Sequence, residues 1–200
     1  MRVTVSGTSG SGKTTFAGAL ARAIGARHID LDAINWQPNW QDLHRGDPEE
    51  FRRRVSAVAA EDAWVSCGNY SKVRPILLAR ATHAVWLDYP KWVVMTRVFR
   101  RSFHRSWTGQ ELWPGTGNTE NFLRWLDKEH PIRWAWDTYE GRRKRIDAEM
   151  ADPALAHLVK YRLTHPREAG PLIAKLTAES SSPAGGGGAS AGGGFRSDRS

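Results

Sequence analysis

An open α/β sheet wrapped by helices is the fold this 200-residue sequence predicts. Three observations carry it. A glycine-rich loop, Gly7-Thr8-Ser9-Gly10-Ser11-Gly12-Lys13-Thr14, lies between a strand pattern and a helix pattern. Further short apolar runs at 27–32, 63–67, 83–88 and 158–163 alternate with helical periodicities. Several of these runs end in acidic or polar side chains, where open parallel sheets bind ligands.

Arg2-Val3-Thr4-Val5-Ser6 is β-branched and reads as the first strand. The loop that follows fits the phosphate-binding pattern G-x-x-x-x-G-K-[ST] at every position. Glycines let the backbone turn its N–H groups onto a polyphosphate, and the next helix N-terminus adds partial positive charge. Gly7, Thr8, Ser9, Gly10, Ser11, Gly12, Lys13, Thr14 and Thr15 are therefore the expected ATP-binding set. Lys13 is placed to reach the β- and γ-phosphates, and the Thr14 hydroxyl to ligate Mg2+. Phe16, Leu20 and Ile24 give the following helix one apolar face, and Gly25 suits its C-terminal cap.

Arg27-His28-Ile29-Asp30-Leu31-Asp32 reads as a second strand. Asp32 at its end meets a substrate or is an exposed turn aspartate. The loop Asn35-Trp36-Gln37-Pro38-Asn39-Trp40 carries two tryptophans, which dock the loop on the core or cover a ligand. Asp47-Pro48-Glu49-Glu50 starts a helix as a capping box with proline at the first turn, and Phe51, Val55, Val58 and Ala59 form its buried stripe. Ala63 to Cys67 reads as a third strand, ending in Gly68-Asn69-Tyr70-Ser71, and a short helix passes through Ile76-Leu77-Leu78.

His83-Ala84-Val85-Trp86-Leu87-Asp88 is a fourth strand, and its closing acid matches the metal-holding position of P-loop enzymes, as any buried strand ending in Asp would. Pro90 opens a long helix. Met95, Phe99 and Phe103 form one face of it, and Arg97, Arg101 and Arg105 form another, which is either solvated or faces phosphate. Residues 106–118 hold Gly109, Pro114, Gly115 and Gly117 and predict a mobile lid loop. Helices are expected at 119–128 and 131–150, the second with Trp134, Trp136 and Tyr139 in the core and Arg142-Arg143-Lys144-Arg145 after them. Leu158 to Leu163 is the last strand, followed by a helix with Leu172, Ile173 and Leu176 apolar. From Glu179 the chain turns to Ser, Ala and Gly, which predicts a disordered tail over 179–200 behind a domain of 1–178.

Composition narrows the function classes. No apolar run approaches a membrane span, and the lone Cys67 allows no intrachain disulfide, so a reducing cytoplasm is expected. The formal charge of +8 could suggest nucleic acid. Most of the excess falls in residues 91–145, with twelve Lys/Arg against six Asp/Glu, which suits an arginine lid as well as a DNA face. No helix-turn-helix, zinc spacing or RNA-binding signature is present. A GTPase switch is excluded, because no Asn precedes a Lys.

The ordered set of motifs resembles the topology modulation proteins, a branch of the adenylate-kinase-like P-loop kinases. The resemblance spans about residues 1–177. It rests on the phosphate loop, His28-Ile29-Asp30-Leu31-Asp32 leading to Trp36-Gln37-Pro38-Asn39-Trp40, and Trp64 through Gly68-Asn69-Tyr70. It rests further on Val85 to Pro90 and the arginines after it, Glu111-Leu112-Trp113 leading to Asn118, Trp134-Ala135-Trp136, and His165-Pro166-Arg167-Glu168. It implies a P-loop NTPase fold of the nucleoside-monophosphate and shikimate kinase kind: a five-stranded parallel sheet flanked by helices. It also implies ATP and Mg2+, and phosphoryl transfer to a nucleotide or other small acceptor. One departure stands out. The resemblance leads one to expect Asp-Gly-Asn-Tyr after the third strand, and Cys67-Gly68-Asn69-Tyr70 stands there, which removes an acid that orients magnesium through water.

The leading expectation is thus an ATP-dependent kinase. Lys13 and the loop amides hold the phosphates; Arg97, Arg101 and Arg105 close over the moving phosphoryl group; Asp32, Asn69, Tyr70 and Arg74 face the acceptor. Thr14 holds Mg2+, with Asp32 or Asp88 as a partner through water. The alternative is a nucleotide-binding regulator of DNA topology that touches DNA through Arg142–Arg145 and the tail. Neither the acceptor nor the oligomeric state is encoded in a readable pattern.

Overall fold

The computed structural model describes residues 1–108, 111–113, 115–119 and 131–181. Residues 120–128 of the expected helix, together with Gly109, Pro114 and the tail from residue 182, lie outside these residues, while Thr119 forms a β-bridge with Glu111.

Among the described residues, seven strands and eight α-helices follow in order. They are β1 (Arg2–Gly7), α1 (Lys13–Ala23), β2 (Arg27–Asp30), α2 (Leu31–Asn35), β3 (Trp36–Gln37), β4 (Gln41–Asp42), α3 (Leu43–Gly46) and α4 (Pro48–Ala59). Then come β5 (Trp64–Cys67), α5 (Arg74–Arg80), β6 (His83–Leu87), α6 (Lys91–Thr108), α7 (Pro131–Ala151), β7 (Val159–Leu163) and α8 (Ala169–Ser181). The main sheet has five strands in the order β2-β5-β1-β6-β7, and every pairing in it is parallel. β3 and β4 form a separate antiparallel hairpin.

Side chains alternate across the sheet, so each strand feeds two cores. Val3, Val5, Val65, Cys67, Val85 and Leu87 pack against α1, α6, α7 and α8 through Phe16, Leu20, Val94, Val98, Tyr139 and Leu176. Trp64 and Ala84 meet α4 and α5 on the other side, with Phe51, Val55, Leu77 and Leu78. Burying a Val, Leu or Phe side chain is worth roughly 1.5–3 kcal/mol, so the two layers together hold the sheet. Asp47 caps α4 by accepting from the Glu50 amide, with Pro48 in the first turn. Gly25 closes α1 at φ +64°, a backbone angle that favours glycine.

The structure departs from the sequence expectations at four places. The second strand stops at Asp30, because the Asp30 carboxylate accepts the Asp32 amide and starts α2. α6 buries Val93, Val94, Val98 and Ser102, while Phe99 and Phe103 are exposed, so the aromatic series is not its core face. In α7, Tyr139 is buried as expected, but Trp134 and Trp136 are exposed. The last helix runs to Ser181, three residues past the expected end of the domain.

Candidate active site

The site forms where β1, β5 and β2 end. β1 runs directly into the phosphate loop, and strand order places β5 beside it, with Val5 opposite Cys67. Gly10 and Gly12 adopt φ +87° and +94°, and a Cβ on Gly10 would run into Val98 of α6. α1 starts at Gly12 with no side chain capping it and no acid in its first turn. Its leading N–H groups are thus left for an anion, which is the arrangement a phosphate needs.

Lys13 folds back and donates to the Thr8 carbonyl at 2.9 Å. Burial of its ammonium pushes the pKa down to about 8, against the opposing pull of Asp32. A phosphate would reverse that shift by pairing the charge. Thr14 and Thr15 are exposed at the helix start, whereas Thr8 and Ser11 are buried in the loop. Arg97 donates to the Ser11 carbonyl at 3.0 Å and lies over the Tyr89 ring, so it braces the loop from α6. Arg101 is close enough for its charge to lower the Lys13 pKa. Arg105, four residues on, is half-buried.

Opposite Lys13 stand the acceptor-side candidates. Tyr70 donates its hydroxyl to Asp32 at 2.6 Å. Burial first, and then Asp32, raise the Tyr70 pKa, so the phenol stays protonated as a donor. Asp30 sits behind Asp32. Burial, then its neighbour's charge, push its pKa up to about 6. Asn69 donates to the Gly7 carbonyl at 2.7 Å and holds the start of the phosphate loop. Its Oδ1 is buried with no hydrogen-bond partner among the described residues.

Two expected site residues are occupied elsewhere. Arg74 pairs with Glu149 of α7 and donates to the Ser6 hydroxyl at 2.6 Å. Through Nε and Nη2 it ties three elements together. Asp88 receives Arg143 at 2.7 Å and Arg162 at 2.6 Å, and both carboxylate oxygens are engaged. Burial opposes its charge, but the bonds from Arg143 and Arg162 outweigh that and hold the carboxyl below its usual range. Asp88 therefore serves as an anchor for α7 and β7, and is not a free metal partner.

Sequence reasoning does not single out Arg142. It read Arg142 to Arg145 as one basic surface patch. In the fold Arg143 turns to Asp88, while Arg142 is half-buried with its guanidinium over the Trp134 ring; burial first, then Arg145, lowers its pKa, opposed by the charge of Asp32 and by Tyr70. The charge of Arg142 also bears on Lys13. No sequence signal separates these adjacent arginines; only the helical rotation of α7 does.

The donor set for magnesium is sparse. The Cys67 sulfur lies 3.7 Å from the Thr14 hydroxyl and 3.4 Å from His28 Nε2. Burial pushes its pKa up to about 12, so it is a neutral thiol. Mg2+ prefers oxygen. Thr14 and, through water, Asp30 or Asp32 are the oxygen donors that remain beside the loop. Among the described residues no three His, Cys, Asp or Glu side chains converge as a metal cage, so a magnesium ion here would lean on phosphate and water oxygens. Among the same residues no helix is long and apolar enough to cross a membrane.

The sequence matches no family model. No curated protein matches it either. Solved structures do. A shikimate kinase from Acinetobacter baumannii, in complex with shikimate, superposes with a TM-score of 0.53 at 20% identity, covering 88% of this chain and 89% of that one. The chain has the shikimate-kinase-like P-loop fold. A shikimate kinase from Bacteroides thetaiotaomicron gives 0.54 at 17% identity over 90% and 97% of the two chains. One from Aquifex aeolicus gives 0.50 at 15% identity over 90% and 96%. At such identities the likeness establishes the P-loop kinase architecture of five parallel strands between helices.

Proposed function

We propose that this chain is an ATP-dependent phosphotransferase that moves the γ-phosphoryl group to a nucleotide or other small acceptor. The observation that carries the reading is the Tyr70–Asp32 pair at the end of the strands beside the phosphate loop, where the charges of Asp32 and Arg142 both bear on Lys13. A phosphate loop alone supports only binding. An acid, a phenol and an arginine beside it supply what a transfer needs: a partner for the acceptor's proton and a cation for developing charge.

In this reading the loop amides and Lys13 hold the β- and γ-phosphates. Thr14 would hold Mg2+, which would supply positive charge to neutralise the phosphates when bound. Asp32 accepts the acceptor hydroxyl proton, and Tyr70 fixes the orientation of its carboxylate. Arg101 and Arg142 face the transferring group from two different helices, while Arg97 keeps the loop in shape. The topology modulation branch of the adenylate-kinase-like proteins is the finer assignment, supported by the ordered tryptophan, aspartate and arginine motifs. The shikimate-kinase-like fold supports kinase chemistry without naming the acceptor. The DNA reading gains no support: within the basic run Arg143 is already paired with Asp88, and no DNA-reading motif accompanies it.

The test is a transfer screen with γ-labelled ATP against nucleoside monophosphates and hydroxylated metabolites, shikimate among them. Label recovered on one acceptor, and lost in Asp32→Asn, supports the reading. Label released only as orthophosphate across the panel counts against it.

A further inference from the structure

Two sequence motifs have no part in the phosphate chemistry: Trp36-Gln37-Pro38-Asn39-Trp40 and the run from Glu111 to Asn118. In the fold they grip each other. Asn39 and Trp40 both sit at φ +59°. Asparagine tolerates this left-handed region, but for a bulky tryptophan it is a strained outlier that the surroundings must hold. Asn118 does so with both ends of its carboxamide. Its Oδ1 accepts the Trp40 amide at 3.1 Å, and its Nδ2 donates to the Gln37 carbonyl at 3.1 Å. Asn118 is buried. Trp113 stacks on Trp36 at 6.1 Å and meets Trp40 edge-on at 6.2 Å, so three indoles close over the turn. The gripping segment is itself closed: Glu111 bridges to Thr119, the Leu112 amide donates to the Asn118 carbonyl, and the Glu111 carboxylate accepts the Gly117 amide.

The held turn leads straight to the acceptor side. β3 follows α2, which carries Asp32, and β4 leads into α3. There the His44 amide donates to Asn35 Oδ1 at 2.7 Å, closing the base of the loop. The His44 ring packs edge-on against Tyr70 at 5.3 Å, and Tyr70 holds Asp32. A continuous set of contacts thus runs from Asn118 through the hairpin and His44 to the Tyr70–Asp32 pair.

We propose that Asn118 is a positioning residue for the acceptor side, which it holds by clamping the strained Asn39–Trp40 turn. The clamp stands on its own geometry; its effect on acceptor binding rests on the phosphotransferase reading. Docking of residues 111–119 and the bound arrangement of the hairpin then stabilise each other, since each supplies what the other lacks.

The test compares wild type with Asn118→Ala in the full chain. Trp113→Phe defines the part of the far-ultraviolet circular dichroism that comes from the stacked indoles. Asn118→Ala should lose that part, and the His44 ring proton signals should move toward solvent-exposed values. In the transfer assay, with the acceptor that turns over best in the screen, its KM should rise about tenfold while the KM for ATP stays within about twofold. Asn118→Asp, which keeps the acceptor oxygen for the Trp40 amide, should fall between the two. Unchanged dichroism and His44 signals would overturn the clamp. Changed spectra with an unchanged acceptor KM would overturn the positioning role. If no acceptor turns over in wild type, the phosphotransferase reading fails, and the spectra alone decide the clamp.

Discussion

The Cys67 sulfur lies 3.7 Å from the Thr14 hydroxyl, at the end of the strand paired with β1. This is where the resemblance to the topology modulation proteins leads one to expect an acid. A neutral thiol at that point gives magnesium no charge and a soft donor it does not favour. Cys67→Asp should therefore shift the magnesium titration of ATP turnover to lower concentration. Identical curves in wild type and Cys67→Asp would show that Asp30 or Asp32 already supplies the field. The same titration in an Asp32→Asn background separates those two.

Asp88 provides the contrast. The metal reading of its sequence position predicts that Asp88→Asn moves the magnesium curve. Its two guanidinium partners predict something else. Losing the buried carboxylate leaves Arg143 without its carboxylate partner and Arg162 with only Asp147, at a cost of about 1–3 kcal/mol, since both arginines are partly exposed and can rehydrate. The expected result is a lower melting temperature with an unchanged magnesium half-saturation point. An unchanged melting temperature with a shifted magnesium curve would restore the metal role.

Arg142 should act on the transition state, beside Lys13 and Asp32. Arginine contacts to a moving phosphoryl group are worth about 10³–10⁵ in rate in P-loop enzymes. Arg142→Ala should lower kcat far more than it raises the KM for ATP, and Arg142→Lys should recover only part of it, because a point charge lacks the planar fork. Wild-type kcat in Arg142→Ala would assign the arginine to packing.

How far this was legible in the sequence follows from where each signal is written. The phosphate loop was fully legible, because its chemistry is local: eight consecutive residues and two flanking elements. The five strands were legible from their apolar runs, but β2 was read two residues too long, since the Asp30 cap competes with strand extension only through one side-chain bond. The arginines of α6 were placed on one face by periodicity alone, yet Arg97 braces Ser11, four residues from Arg101 beside Lys13. The ion pairs that Asp88 and Arg74 make in the fold are not legible in the sequence, for one common reason. Their partners lie 55 to 75 residues away, and pairing at that distance leaves no local pattern.

Asp30 carries a pH signature. Its native pKa of about 6 lies above the model-compound value of 3.8, so the folded state binds a proton more tightly than the unfolded chain. The stabilising effect is fully present below the unfolded value and is lost as pH rises through about 6. Asp30→Asn keeps the cap on α2 without the charge. Relative to wild type it should match stability near pH 4 and gain on the order of 2 kcal/mol at pH 7. Equal stabilities across that range would show that Asp30 is solvated in the native state.

The central claim is that the loop from Gly7 to Thr14 holds ATP for transfer, with Lys13 as its cation. The most direct measurement is ATP binding by calorimetry in wild type and Lys13→Ala, each with Mg2+ present, followed by transfer of the labelled γ-phosphoryl group. Folding of the variant is checked by its circular dichroism. The account predicts that wild type binds ATP, takes up a proton on binding above pH 8 as the phosphates restore the Lys13 charge, and labels an acceptor. Lys13→Ala should lose most of the affinity, all of the proton uptake and the transfer. A folded Lys13→Ala protein that binds and transfers as wild type does would contradict it.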